Sequence, residues 1–234
     1  QYNATAEFLT QNTFLNNFGT RPPEADDLTY KTHAGIQDAT LLDLKMSNFH
    51  YLASTCSEFK MVALLNKYYF YAGKVSQIYN GSVSYCSDDE VLINFSTAKF
   101  TEEQAFYAIC AAQLFLQLIG DINDIEEGPV DAKFKLAVHS GKTVSGLYSP
   151  ITQDTDNLTG KTIDLTRDIC NACPSNSLLI SENAFEHAGA RTRIEADEYD
   201  QVGDHEQIRT YISLKPMSEY KILLERQAIQ LVKV

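Results

Sequence analysis

Two groups of carboxylates stand out by their position. Asp43 interrupts an otherwise apolar run from Ala39 to Lys45, and Asp88, Asp89 and Glu90 follow one another between two apolar segments. Carboxylates brought together can hold a divalent cation, which can neutralise phosphate oxygens and activate a hydroxyl. The plainer reading is that Asp43 caps a backbone turn and that residues 88–90 form a solvated hairpin tip. Cys170 and Cys173 make a C-x-x-C pattern. No second pair completes a zinc site, so the pattern reads as core packing on a helix. His139 has no Cys, His or carboxylate at ligand spacing and reads as a residue packed or hydrogen-bonded within the sheet.

The elements that must position these groups follow from periodicity. Ala39 to Lys45 is the first strand. Phe59, Val62, Ala63, Tyr69, Phe70 and Gly73 recur at helical spacing and predict a long amphipathic helix from Ser57 to Ile78. Asn80-Gly81 is a tight-turn pair, and strands at Ser82–Cys86 and Val91–Phe95 make a hairpin whose tip carries the three acidic residues. Thr101-Glu102-Glu103-Gln104 has the form of a capping box ahead of an apolar helix reaching about Ile119. Strands are expected at Lys133–Ser140, Thr143–Tyr148, Ser177–Ser181 and Gln207–Leu214, and helices at Thr162–Ala172 and Ser218–Val234. This order predicts an α+β fold with a ferredoxin-like βαββαβ core, extra strands and helices, and helices on one face of a mainly antiparallel sheet. Before it, Phe8, Leu9, Phe14, Leu15 and Phe18 form an apolar stripe.

Composition narrows the function classes. A formal charge of −12 with only 19 Lys and Arg argues against gripping nucleic acid, which requires clustered cations. An anionic nucleotide is compatible with that charge if a metal carries the compensation. Hydrophobic residues at 44%, with 13 Tyr and 12 Phe, supply a sizeable core in a single domain. Five cysteines without framework spacing fit reduced thiols in a cytoplasmic setting. No run approaches the ~20 apolar residues of a membrane span, so the sequence reads as soluble, or as the soluble part of a membrane-bound signalling protein. It opens on Gln1 rather than Met, as a fragment would.

Taken in order, Leu41-Leu42-Asp43-Leu44, Leu64-Leu65-Asn66, Ser87-Asp88-Asp89 through Phe95, Val138-His139-Ser140-Gly141 and Gly160-Lys161-Thr162-Ile163-Asp164-Leu165 resemble the signposts of class III adenylyl and guanylyl cyclases. The resemblance implies an N-terminal extension or linker at 1–36, a cyclase homology domain at 37–215 and a C-terminal helix at 216–234. It also implies Mg²⁺ or Mn²⁺ held by Asp43 and Asp89 close together at the end of the sheet, with Asp88 as the other register. A nucleoside triphosphate would lie between two head-to-tail subunits.

Other positions depart from the family pattern. Asp164 stands where the ribose-orienting Asn is expected, and Asp168 where the transition-state Arg is expected. Tyr85 and Asn157 occupy the base-selecting positions. Val202 and Asp204 occupy the phosphate loop, which is normally Lys-rich. Arg167 lies one residue from the missing Arg, and a neighbouring helical position points roughly 100° away, so it reads as an Arg on a solvated helix face. A carboxylate facing developing phosphate charge is repulsive. The expectation is therefore a degenerate, dimeric signalling module without purine cyclase activity alone. The alternative is an active or half-active cyclase using Asp43 and Asp89 for Mg²⁺ or Mn²⁺ with a complementary partner subunit.

Overall fold

The computed structural model describes residues 35–96, 103–125, 131–148, 155–189, 192–203, 207–216 and 218–232. In chain order these form β1 (Gly35–Met46), α1 (Phe49–Thr55), α2 (Glu58–Ile78), β2 (Ser82–Ser87), β3 (Glu90–Asn94), α3 (Gln104–Ile125), β4 (Phe134–Tyr148), β5 (Thr155–Thr159), α4 (Lys161–Ala172), β6 (Ser177–Ser181), α5 (Glu182–His187), β7 (Ile194–Val202), β8 (Ile208–Pro216) and α6 (Ser218–Val232). The apolar stripe at Phe8–Phe18 lies outside the described residues. The chain divides into two compact units, the larger comprising Gln37–Thr143 and Gly160–Val234, the smaller containing Val144–Thr159. In the smaller unit β5 pairs antiparallel with the end of β4, from Val144 opposite Thr159 to Tyr148 opposite Thr155.

In the larger unit the strands run in the order β2-β3-β1-β4-β6-β8-β7. The first four give the α+β, ferredoxin-like βαββαβ core: two split β-α-β crossovers interleave so that β3 lies between β2 and β1, and β1 between β3 and β4. β1 and β3 pair antiparallel with Asp43 opposite Leu92 and Lys45 opposite Glu90. β4 and β6 are parallel, and β8 pairs antiparallel with both β6 and β7.

Side-chain alternation splits the core in two. Leu42, Leu44 and Met46 of β1, Val91 and Ile93 of β3, Leu136 and Val138 of β4, and Leu178 and Ile180 of β6 join α2, α3 and α6 in the main cluster. The alternate residues Ala137 and Leu179 turn the other way and meet Ile169, Cys170 and Cys173. One helix, α4, therefore covers the face that the sequence left bare.

Several expectations need correction. The stripe that α2 buries is Met61, Tyr68, Ala72 and Val75, whereas Phe59, Val62 and Phe70 are exposed. The helix is apolar on more than one side, so periodicity alone does not choose the inner face. α3 is long and apolar enough by composition to cross a membrane, contrary to the reading that no such segment exists. It is also the central core helix, with Ala108, Ile109, Ala111, Leu114 and Leu118 fully buried. Thr101 and Glu102 of the expected capping box lie outside the described residues, and the Gln104 side chain donates to the Ser96 carbonyl oxygen (3.4 Å). The two strands expected around Gly141 are one continuous β4. A Cβ at Gly141 would stand 2.8 Å from Thr162 Oγ1, so glycine lets the start of α4 cross the strand without a break.

Candidate active-site face

α4 and the ends of β1 to β3 build the site. α4 is anchored along its length: Thr162 Oγ1 donates to the Lys142 carbonyl oxygen (2.5 Å) and the Cys170 thiol to that of Lys135 (3.3 Å). At its C-terminal end the Lys45 ammonium donates to Asn171 Oδ1 (3.0 Å), and that of Lys135 to the Asn171 carbonyl oxygen (2.8 Å). Two strand lysines thus complement the negative end of the helix dipole. Cys170 and Cys173 pack in the smaller cluster, and burial raises both thiol pKa values, that of Cys173 to about 11.

Beneath α4 lies Asp43, 1% exposed, and neither carboxylate oxygen has a hydrogen-bond partner among the described residues. The Cys170 thiol beside it is bonded to main-chain oxygens. Burial pushes the Asp43 pKa up to about 7 and the Glu90 charge adds to this, against weaker opposing pulls from Cys170, Arg167 and Lys45.

Of the hairpin carboxylates, Glu90 is therefore the one that acts on Asp43. Asp89 closes the β2–β3 turn, where its carbonyl oxygen accepts from Met46 N (2.7 Å). Asp88 and Asp89 edge a crevice with Leu44, Met46, Tyr68 and Tyr69 on the α2 side of the sheet. Tyr69 donates its hydroxyl to the Asp88 carbonyl oxygen (2.6 Å). Its pKa rises to about 12, first through burial and then through Cys86, Asp88 and Asp89.

Arg167 occupies the face in a way the sequence did not suggest. Its Nε donates to Glu90 Oε1 at 2.7 Å, with side-chain exposures of 37% and 16%, and its guanidinium stands over the Tyr85 ring, 5.3 Å from the centroid. It is half-exposed and turned onto its own sheet rather than free on a helix face. The missed signal is Glu90 itself: a charged residue opposite Lys45 and two positions from Leu92 must share the face of Asp43. Asp164 and Asp168, one turn apart, are exposed on α4. Val202 packs against the smaller cluster, Asp204 lies outside the described residues, and Asn157 sits on β5 opposite Gly146 in the smaller unit.

A divalent cation asks for carboxylates free to turn their oxygens toward it. Asp43 meets that demand as an orphaned, buried carboxylate, but Glu90 is already engaged by a guanidinium on the same face. Among the described residues, no group of three or more His, Cys, Asp or Glu converges as a metal cluster would. As arranged here, Asp43 and Glu90 do not by themselves make a site for Mg²⁺ or Mn²⁺.

The remaining motif is structural. His139 is buried, with Nδ1 2.9 Å from Ser181 Oγ, and Ser181 also accepts from Ala184 N (3.3 Å) at the start of α5. Ser140 Oγ lies 2.8 Å from Thr40 Oγ1 across the β1–β4 junction.

No family model and no curated protein sequence matches the chain. Solved structures do. The adenylyl cyclase CyaB from P. aeruginosa aligns with a TM-score of 0.72 at 15% identity, covering 78% of this chain and 96% of that one. The non-canonical dimeric guanylyl cyclase domain of the RhoGC fusion protein from the aquatic fungus Blastocladiella emersonii aligns at 0.69 and 16%, covering 78% and 99%. The guanylate cyclase domain of RhGC from Catenaria anguillulae, in complex with GTP, aligns at 0.70 and 15%, also covering 78% and 99%. At these TM-scores, over nearly the whole of each matched domain, this chain has the fold of the class III adenylyl and guanylyl cyclase catalytic domains, in divergent form.

Proposed function

We propose that the chain is a degenerate cyclase homology domain that acts as a dimeric signalling module and makes no cyclic purine nucleotide by itself. The observation that carries this reading is the charge on α4. The two side chains exposed where the resemblance puts the ribose-orienting and transition-state groups are Asp164 and Asp168. The nearby cation, Arg167, is tied to Glu90 of its own subunit. In-line attack on an α-phosphorus builds negative charge that must meet fixed positive charge or hydrogen-bond donors. Carboxylates at those places oppose it.

Tyr85 and Val202 extend the same argument to the base and the phosphates. An aromatic ring with a guanidinium over one face and an aliphatic side chain packed against a cluster offer neither the ammonium nor the donors that these positions would need. A homodimer repeats Asp164, Asp168, Tyr85 and Val202 in both halves. Only a dissimilar partner supplying Asn, Arg and Lys could complete such a site.

Loss of product does not remove the reason to keep the fold. A two-fold assembly can pass on a rotation of one subunit against the other. The test combines light scattering with product analysis after incubation with ATP or GTP and Mn²⁺. A dimer without cyclic nucleotide is expected, since each missing donor of this kind typically costs ~10²–10³ in rate. A strict monomer would sink the dimeric reading, and turnover comparable to ordinary cyclases would sink the degenerate one.

A further inference from the structure

The side chains on the α4 face disagree with a cation site in a specific way. Asp43 lies opposite Leu92, and Glu90 is two residues along the same strand. The two carboxylates are therefore diagonal neighbours on one face of an antiparallel pair, a separation of roughly 7–8 Å between backbones that long side chains can bridge. Arg167 comes down on Glu90 from α4, within electrostatic reach of Asp43. It bonds Glu90 at 2.7 Å and rests against Tyr85, 5.3 Å from the ring centroid. Its position is fixed by an ion pair on one side and an aromatic face on the other, the arrangement in which a planar guanidinium is best held.

We propose that the Arg167 guanidinium takes the place of a divalent cation in this chain, acting as a built-in counter-ion for the Glu90 and Asp43 carboxylates so that the face excludes Mg²⁺ and Mn²⁺. A covalently attached cation needs no capture from solution. It also repels a second cation approaching the same carboxylates, because like charges at such distances in a partly buried site are screened much less than in water. The helix supplies the geometry: Asp164 and Asp168 point to solvent while Arg167, between them in sequence, turns onto its own sheet. A residue one position along a helix changes direction by roughly 100°. That rotation separates a group presented to another subunit from one that neutralises its own. The inference deepens the proposed function and rests on the reading that this face corresponds to the cation-binding face of a cyclase.

Manganese alone is the probe, followed by the paramagnetic resonance signal of free Mn²⁺ and by melting temperature. Wild-type protein should neither deplete the signal nor shift its melting temperature up to millimolar Mn²⁺. Arg167→Gln should bind Mn²⁺ at least about tenfold more tightly, since it releases two carboxylates from an internal positive charge. Adding Asp43→Asn to that variant should abolish the gain, whereas Arg167→Lys, which keeps the charge, should stay silent. Wild-type binding as tight as that of Arg167→Gln would overturn the inference, as would a cooperatively melting Arg167→Gln that gains nothing. The wild-type measurement decides even if the variant fails to fold. Cyclic nucleotide assayed in the same samples keeps the two readings apart: Mn²⁺ binding without product overturns only the counter-ion, and product formation overturns the proposed function.

Discussion

Where β1 faces α2 and α3, it presents Leu42, Leu44 and Met46 to a continuous apolar core; where it faces α4, it presents Asp43 and Lys45 to a thiol, an amide and a guanidinium. The same five residues thus serve two kinds of packing. Apolar burial is non-directional, so the first face gains from area and tolerates exchange of one aliphatic group for another. On the second face each group depends on one particular partner, and a group without a hydrogen bond, such as the Asp43 carboxylate, recovers only part of its desolvation cost from the charges around it. The α2–α3 face is where the fold gets its stability, and the α4 face is where single polar contacts decide what the chain can bind.

The most severe way to break that contrast is in the large core. Phe115 is fully buried and meets Phe134 edge to face, with ring centroids 5.1 Å apart. Phe115→Ala should cost about 3–5 kcal/mol. Ile169→Ala in the small cluster under α4 should cost nearer about 2 kcal/mol, because isoleucine removes fewer buried carbons than phenylalanine and has fewer apolar neighbours in a cluster of six buried residues. Urea melts of both variants measure the difference, and equal costs would mean that the two faces contribute alike.

A subtler measurement concerns Asp43. Its folded-state pKa of about 7 lies above the ordinary 3.8, so between those values the folded protein holds a proton that the unfolded chain has released. The contribution of this group is intact below about pH 4 and is lost as pH rises through about 7, at about 1.4 kcal/mol per pH unit and about 4 kcal/mol at most. In chelator-treated protein, Asp43→Asn should gain on wild type steadily from pH 4 to pH 8 and level off above. A difference that does not change with pH would show that Asp43 is ionised in both states.

These contrasts also explain what could be read from the sequence. The βαββαβ order was legible because β1 to β3, α3, β4 and β6 are bounded by clear changes of period and by Asn80-Gly81. β7 was not, because Glu195, Asp197, Glu198 and Asp200 give it the polarity of a loop, and only pairing with β8 makes it a strand. α1, β5 and α5 are short segments whose local signal is weak. Within the site, Asp43 was legible as an anomaly in an apolar strand. The engagement of Arg167 was not, since it depends on how far α4 is rotated over the sheet, and that is set by Thr162 meeting Gly141 and Lys142 from another part of the chain. Periodicity gives the faces of a helix but not which of them turns inward.

The burial of Cys170 and Cys173 gives that rotation a clock. Both thiols are sealed between α4 and the sheet, while Cys86 stands exposed on β2. An alkylating reagent should therefore label Cys86 at once and reach the α4 pair only when the helix lifts away. Their lag is a direct reading of the free energy of local opening, in the way protected amides report it. A partner that clamps α4 should lengthen that lag, and one that pries the helix loose should erase it. The same two thiols would then report, without any nucleotide chemistry, how firmly α4 is held on the sheet.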